Sequence, residues 1–152
     1  MRRTRLDDRA CSIAKTVDAV GDPWTLLIVR DALLGVARFE DFHRRLGTPR
    51  ATLANRLAQL VEIDVLHKDD GGRYHLTDKG RALRPVIITM MQWGDHWVRE
   101  DEPPTRLIED GTGRWIRPVL VDRETGVPID QLQVRAQGPL VEGLPARADG
   151  DL

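Results

Sequence analysis

The chain has 152 residues, of which 41% are hydrophobic, and this is sufficient for one folded domain with a small appendage. Its formal net charge is only -1, and its single cysteine, Cys11, excludes an internal disulfide and a metal site made of thiolates alone. The sequence shows neither a secretory signal pattern nor a run of about 18 apolar residues, so we expect a cytoplasmic protein without a membrane span.

Two helices are predicted in the first 35 residues. The first is amphipathic, with apolar residues at helical spacing: Ala10, Ile13, Val17 and Val20. The second begins with Asp22 as its N-cap and Pro23 at its first position. Residues 26–29 are apolar on all sides, which predicts a core helix. We expect Trp24 to pack in this core, and stacking on a ligand is the alternative.

Residues 38–60 predict a helix, a short turn and a second helix. The apolar residues recur at helical spacing in both segments: Phe39, Phe42 and Leu46, then Leu53, Leu57 and Leu60. Between the segments, Gly47 permits the reversal, Thr48 can cap the second helix through its hydroxyl, and Pro49 suits its first position. The outward face of the second helix carries side chains that can reach phosphates or base edges in a major groove: Arg50, Thr52, Asn55, Arg56 and Gln59.

Charge is distributed unevenly along the chain. Residues 1–60 hold 11 Lys and Arg against 7 Asp and Glu, whereas residues 101–152 hold 6 against 10. A basic surface on one part of a nearly neutral protein is typical of phosphate binding. A solvated helical surface without a ligand is the alternative explanation.

A β-hairpin is predicted directly after the second helix of this pair. Residues 65–68 and 73–76 are short strands, and the sequence DDGG at 69–72 supplies the turn. A helix-turn-helix followed by a hairpin predicts a winged helix. Lys68 and Arg73 flank the turn, and because Asp69 and Asp70 would oppose DNA at the tip, we expect the wing to contact DNA through Arg73. A hairpin that only covers the core is the alternative.

A long terminal helix is predicted after the wing, with Thr77 as its cap. Its apolar stripe is Leu83, Val86, Ile87, Met90, Gly94 and Trp97, with Trp93 nearby. This stripe exceeds what a small winged helix can bury, so it predicts a dimer interface.

The last third of the chain is predicted to be a separate, small β-rich appendage. We divide the sequence into a DNA-binding and dimerisation domain at 1–100, a linker at 101–104, the appendage at 105–142 and a flexible tail at 143–152. Residues 114–121 and 132–135 are the best strand candidates. Two turns at 109–113 and 122–126 share an acidic first residue and a Thr-Gly ending. The fold class is therefore α+β.

Three stretches of the sequence carry a recognisable family pattern: CSIAKTVDAVGDPWTLLIVRDALLGVARFEDFHRRL, TPRATLANRLAQLVEIDVL and RYHLTDKGRALRPVIITMMQWGDHWV. Together they resemble the HxlR-type family of bacterial winged-helix transcriptional regulators, from Cys11 to about Val98. The resemblance implies a homodimer that binds double-stranded DNA and is joined through its first and last helices. Its acidic wing turn is shorter than in many relatives, which disfavours deep insertion into DNA.

Two residue sets follow from the pattern and the resemblance together. The predicted DNA contacts are Arg38, Arg44, Thr48, Arg50, Thr52, Asn55, Arg56, Gln59, Lys68 and Arg73. The predicted dimer contacts are Ile13, Val17, Met90, Trp93 and Trp97.

The resemblance also bears on Cys11 and on the appendage. In several members the N-terminal cysteine senses electrophiles or oxidants, and here Arg9 and Lys15 are near it in sequence. The alternative for Cys11 is a small buried hydrophobe. Extended relatives carry zinc-ribbon cysteines or histidines where this chain has Glu109, Thr112, Asp122 and Thr125. This donor set predicts a ribbon without metal, and two unrelated polar turns are the alternative.

The sequence predicts no catalysis, no cofactor and no metal. Its four histidines, His43, His67, His75 and His96, lack metal-ligand spacing, and it has no glycine-rich phosphate loop. The predicted function is transcriptional regulation through operator DNA, with a small-molecule effector or modification of Cys11 as candidate inputs. A winged-helix module that binds another protein, without DNA, is the alternative function.

Overall fold

The computed structural model describes residues 11–137. The chain divides into two units, one ending at Arg99 and the other beginning at Glu100. Arg9, Ala10 and the tail predicted at 143–152 lie outside the described residues.

The first unit combines helices with one small antiparallel sheet, which confirms the predicted α+β class and the winged-helix order. Its elements are α1 (Ser12–Val20), α2 (Pro23–Leu33), α3 (Phe39–Leu46), α4 (Arg50–Glu62), β1 (Leu66–Lys68), β2 (Tyr74–Leu76), α5 (Asp78–Arg81) and α6 (Arg84–Trp97). The two strands pair in register, with His67 opposite His75.

Local sequence signals set several of these boundaries as predicted. Oδ1 of Asp22 accepts hydrogen bonds from the backbone N–H groups of Trp24 (3.1 Å) and Thr25 (3.2 Å), so it caps α2. Gly47 ends α3 in the left-handed region with φ of 62°, which a residue with a Cβ adopts only at a cost. The turn between α3 and α4 therefore depends on this glycine.

The core of the first unit is built by α2, α3, α4 and the start of the hairpin, with the last residue of α1. Its buried apolar residues are Val20, Ile28, Val29, Phe42, Leu53, Leu57, Leu60, Val65 and Leu66. Tyr74 of the wing meets Phe42 edge to face, with ring centroids 6.5 Å apart. Each fully buried side chain of this size contributes about 1.5–3 kcal/mol, so the core fixes the placement of α4 and the wing.

The long terminal helix that the sequence predicts is interrupted. Thr77 does cap a helix, since its Oγ1 accepts from the N–H of Gly80 at 3.0 Å, but that helix is the four-residue α5. A new helix, α6, then begins at Arg84, with Pro85 in its first turn, where the missing N–H costs nothing. A Cβ at Gly80 would overlap the carbonyl oxygen of Val65, so α5 packs directly on the backbone that leads into β1.

The second unit contains less β-structure than the sequence predicts. Neither residues 114–121 nor residues 132–135 form a strand. Within the described part of this unit, the pairing consists of two isolated antiparallel bridges, Ile108 with Trp115 and Val121 with Pro128. A 3-10 helix, Ile129–Gln131, follows the second bridge. Proline at 118 and 128 removes two backbone donors that longer strands would need.

The helices of the described region include none with the combination of length and apolar character needed to cross a membrane.

Candidate nucleic-acid interface

The solvent-facing side of α4 is a polar and small-residue surface. Leu53, Leu57 and Leu60 point into the core, and the exposed positions on the other side are Arg50, Ala51, Ala54, Asn55, Ala58 and Gln59. Thr52 is half-buried at the edge of this side. The three alanines were not among the predicted contacts. The sequence could have indicated them, because all three alanines lie opposite the apolar stripe of α4. Small residues let a helix approach a groove closely, and alanine can contact a thymine methyl.

Arg50 is exposed and held in place by α3. Its Nη1 and Nη2 lie 2.8 Å and 2.5 Å from the two carboxylate oxygens of Glu40. Its guanidinium also lies over the ring of Phe39, 4.9 Å from the centroid. The hydrogen bond from Arg50 lowers the pKa of Glu40 below its ordinary value. The first residue of α4 therefore presents its charge from a fixed position.

The prediction that Arg56 faces outward is wrong. Its Nη2 is 2.9 Å from Oδ2 of Asp22, and the two side chains are only 24% and 17% exposed. Its Nη1 donates to Oε1 of Gln59 at 2.8 Å. Arg56 thus connects α4 to the N-terminus of α2, which makes it a structural residue in this conformation.

The prediction for Thr48 is also wrong. Its side chain is 1% exposed, and its Oγ1 has no hydrogen-bond partner in the described region. Pro49 occupies the N-cap position instead, so α4 begins one residue later than expected and has no side-chain cap. A buried hydroxyl cannot contact DNA without a change of structure.

Four arginines line one cleft of about 380 Å³, one from the residue before α3, two from α3 and one from the wing: Arg38, Arg44, Arg45 and Arg73. Asp41 also lines this cleft and is paired with Arg44 at 2.9 Å. Arg38, directly before α3, is exposed, and its side chain has no hydrogen-bond or ion-pair partner within residues 11–137. The excess of positive charge makes this cleft suitable for backbone phosphates.

Arg45 was not predicted as a site residue, and its position depends on a buried carboxylate. Asp31, fully buried in α2, pairs with Arg45 at 3.0 Å and with Arg30 at 2.8 Å. The hydrogen bond that Arg45 donates to Asp31 raises the pKa of Arg45 above its ordinary value. The sequence could have indicated the pair of Asp31 and Arg45, because Asp31 is the one acidic residue within the largely apolar α2. A buried charge requires a partner of opposite charge.

The wing turn directs one of its two aspartates back into the hairpin. Asp69 accepts hydrogen bonds from the N–H of Arg73 at 2.8 Å and from Nε2 of His75 at 2.9 Å. The bond from the Arg73 backbone, with that from His75, lowers the pKa of Asp69 below its ordinary value. The side chains of Lys68 and Arg73 remain exposed, with Lys68 5.3 Å from the ring centroid of Tyr74.

Helices α1 and α6 each carry exposed apolar side chains in the single chain. Ile13 of α1 is 72% exposed and Trp97 of α6 is 70% exposed. Val17, Met90 and Trp93 are exposed as well. All five residues predicted to form a dimer interface are therefore at least 45% exposed in the single chain.

Cys11 caps α1 and is neither fully buried nor fully exposed. Its Sγ lies 3.5 Å from the N–H of Ala14, which donates to it, and its carbonyl oxygen accepts from Lys15. Cys11 is therefore neither the exposed thiol that sensing would favour nor the buried hydrophobe of the alternative.

The two similar turns of the second unit have closely related hydrogen bonds. The carboxylate of Glu109 accepts from the hydroxyl of Thr112 at 2.7 Å, and that of Asp122 accepts from the hydroxyl of Thr125 at 2.7 Å. These threonine hydrogen bonds are the main cause that lowers the pKa of each carboxyl below its ordinary value. Within residues 11–137, no group of three or more His, Cys, Asp or Glu side chains is arranged to hold a metal ion.

Comparison with known proteins gives concordant matches. The HxlR-like helix-turn-helix family model matches residues 19–102. An HTH-type transcriptional regulator of Mycobacterium tuberculosis is 38% identical over 136 residues, which cover 84% of this chain and 86% of the relative. The crystal structure of PA1607, a protein provisionally assigned as a transcription factor, matches with 36% sequence identity and a TM-score of 0.76. The match covers 88% of this chain and 100% of the PA1607 chain. Quinone-bound YodB of Bacillus subtilis matches with 27% sequence identity and a TM-score of 0.53. The match covers 57% of this chain and 99% of the YodB chain.

Proposed function

The chain belongs to the HxlR-like helix-turn-helix family, and from this premise we propose that it is a transcriptional regulator that binds palindromic operator DNA as a homodimer. In this proposal α4 enters the major groove, and the arginine-lined cleft and the wing contact the phosphate backbone on either side.

The observation that supports this most directly is the combination of shape and charge on one side of the first unit. The exposed side of α4 has Arg50 and Asn55 for base edges and small alanines between them. Arg38, Arg44 and Arg73 lie in the adjoining cleft, where phosphates would be reached. Arg56 and Thr48 are left out of the proposed contact set because of their burial.

Dimerisation is proposed through the apolar faces of α1 and α6. An exposed stripe with two tryptophans is costly in water, and a second copy of the chain would cover it. A two-fold dimer would present two α4 helices to half-sites about one helical turn, roughly 34 Å, apart.

We further propose that Cys11 is the residue through which electrophiles act on the regulator. Support comes from its partial exposure at the start of α1, one of the two proposed dimer helices, and from the similarity to YodB, whose structure was solved with a quinone bound. Cys11→Ser should leave DNA binding intact while abolishing its response to a quinone. A quinone response that persists in Cys11→Ser would refute this part.

We also propose the domain division of the sequence, in which residues 101–104 link the DNA-binding part to an appendage at 105–142. The appendage would act as a packing or effector-facing module, held by apolar contacts and by its two carboxylate–threonine turns.

The test of DNA binding is the salt dependence of affinity for a duplex. A protein that contacts several phosphates loses about 0.9 log units of affinity per contact for each log unit of salt. We expect a steep slope for the wild type and a slope smaller by about one contact for Arg38→Gln. Arg123→Gln, an exposed arginine of the second unit, is the matched control. A flat salt dependence would favour a protein-binding module instead.

A further inference from the structure

A second cleft lies beside the wing hairpin, and we call it the wing cleft. It is lined by the loop after α2, by both strands and by α5 and the start of α6. Its volume of about 530 Å³ lies within the roughly 300–1,000 Å³ typical of small-molecule sites. None of the residues proposed above to contact DNA lines it, although it shares the loop residues Gly35, Val36 and Ala37 with the arginine-lined cleft.

The lining of the wing cleft offers an apolar surface and an aromatic one. Leu33, Val36 and Leu76 are partly buried against the core and supply the apolar part. His67 and His75, which face each other across the two strands, are stacked with ring centroids 5.1 Å apart and an angle of 26°. A flat aromatic ring is the ligand body that such a lining accommodates best.

The charged side chains of the lining are engaged in hydrogen bonds except for one. Arg81 donates to the carbonyl oxygen of Leu76 at 2.6 Å, and Asp69 accepts from His75 and from the backbone of Arg73. The side chain of Arg84, at the start of α6, has no hydrogen-bond or ion-pair partner among the residues that the structure describes. The cleft therefore has an available cation next to an apolar and aromatic lining.

We propose that the wing cleft binds a small aromatic carboxylate, with the carboxylate paired to Arg84 and the ring against the apolar residues and the stacked imidazoles. A planar carboxylate matches the two parallel N–H donors of one guanidinium. A phosphate dianion fits less well, because the negative Asp69 also lines the cleft and the other lining arginine, Arg81, is already hydrogen-bonded to the carbonyl of Leu76.

Occupancy of the wing cleft would act on the elements that carry two proposed DNA contacts. The N–H of Tyr74 donates to the carbonyl oxygen of Ala37 at 2.8 Å, which joins β2 to the loop after α2, and both residues line the cleft. Arg73 precedes Tyr74 and Arg38 follows Ala37. A ligand in the cleft would change the positions of both arginines, and this regulatory step rests on the proposed function.

The binding test is a titration of the full chain with benzoate, followed by amide chemical shifts in NMR. We expect saturable shifts confined to the wing cleft, and an affinity at least about ten-fold lower in Arg84→Gln. Arg84→Gln replaces an exposed residue, so the fold should persist, and Arg123→Gln should bind as the wild type does. Benzamide, which has the ring without the charge, should bind at least about ten-fold more weakly than benzoate.

Three results would overturn the assignment of this ligand class: no saturable shift up to the solubility limit of benzoate, equal affinity in wild type and Arg84→Gln, or inorganic phosphate binding as tightly as benzoate.

A second measurement compares DNA affinity with and without saturating benzoate, and we expect a several-fold change. An unchanged affinity would overturn the regulatory step. If the chain bound no DNA at all, the proposed function would fail, whereas the titration would still decide whether the cleft is a site.

Discussion

Arg56 of α4 is ion-paired with Asp22, the residue that caps α2, with Nη2 and Oδ2 2.9 Å apart. The carboxylate of Asp22 therefore has two functions, since Oδ1 satisfies the start of α2 while Oδ2 holds α4. Asp22 also follows directly after α1 and Gly21. The start of α2 and the proposed DNA-reading helix thus meet at a single carboxylate.

Arg56→Ala should lower the free energy of unfolding by about 1–3 kcal/mol, because it leaves a half-buried carboxylate without its cation. Asp22→Asn is the informative partner variant, since asparagine still caps a helix but carries no charge. Urea denaturation of both single variants and of the double variant would give the coupling energy of the pair. Additive effects, or a loss in Arg56→Ala no greater than in the exposed Arg50→Ala, would contradict a structural role for Arg56.

The sequence predicted the parts of this region that depend on near neighbours. Asp22 as a cap and Gly47 as a left-handed residue follow from rules that span three or four residues. The pairing of Arg56 could not be predicted, because Arg56 lies at the edge of the apolar stripe of α4 and its partner is 34 residues earlier. Residues 114–121 have strand propensity, but propensity does not supply a partner strand, and only single bridges form there.

Arg50→Ala should weaken binding to the specific operator by about 1–3 kcal/mol more than binding to random DNA, if Arg50 reads a base. Glu40→Gln should have the opposite effect and raise the affinity for any duplex, because it removes a negative charge beside Arg50. Glu62→Gln, at the other end of α4 and exposed, is the matched control. Fluorescence anisotropy with both duplexes measures all three variants, and equal losses on both in Arg50→Ala would assign Arg50 to a phosphate.

Asp69 should make the stability of the wing depend on pH in the acid range. Its pKa is lowered below the ordinary 3.8 in the folded chain, so the ionised carboxylate stabilises the fold. This contribution is fully present above pH 3.8 and is lost as the pH falls through the lower folded pKa. The stability difference between wild type and Asp69→Asn should therefore be greatest near neutral pH and shrink in acid. Thermal melts of both proteins across pH measure it, and Asp70→Asn is the control; a difference that grows in acid would be inconsistent with this mechanism.

A chain that ends at Glu102 should keep DNA binding, because every helix and strand of the winged helix lies before residue 100. We expect its affinity for duplex to equal that of the full chain and any effect of the deletion to fall on stability or effector response. Anisotropy and thermal melts of both chains decide this. Loss of DNA affinity in a truncated chain that still melts cooperatively would place part of the DNA site in the appendage.

The exposed tryptophans of α6 give the sharpest test of the proposed dimer. Met90→Glu combined with Trp97→Glu should produce monomers, since two carboxylates on each copy would repel across a two-fold axis and lose solvation at the interface. Both residues are exposed in the single chain, so the double variant should keep the stability of the isolated fold, whereas a core substitution would not. Trp115→Glu, an exposed tryptophan of the second unit, is the control for adding charge at an aromatic position. Sedimentation measures the oligomeric state, and a palindromic duplex should bind the double variant far more weakly than the control. A wild-type monomer at micromolar concentration would contradict the proposed dimer.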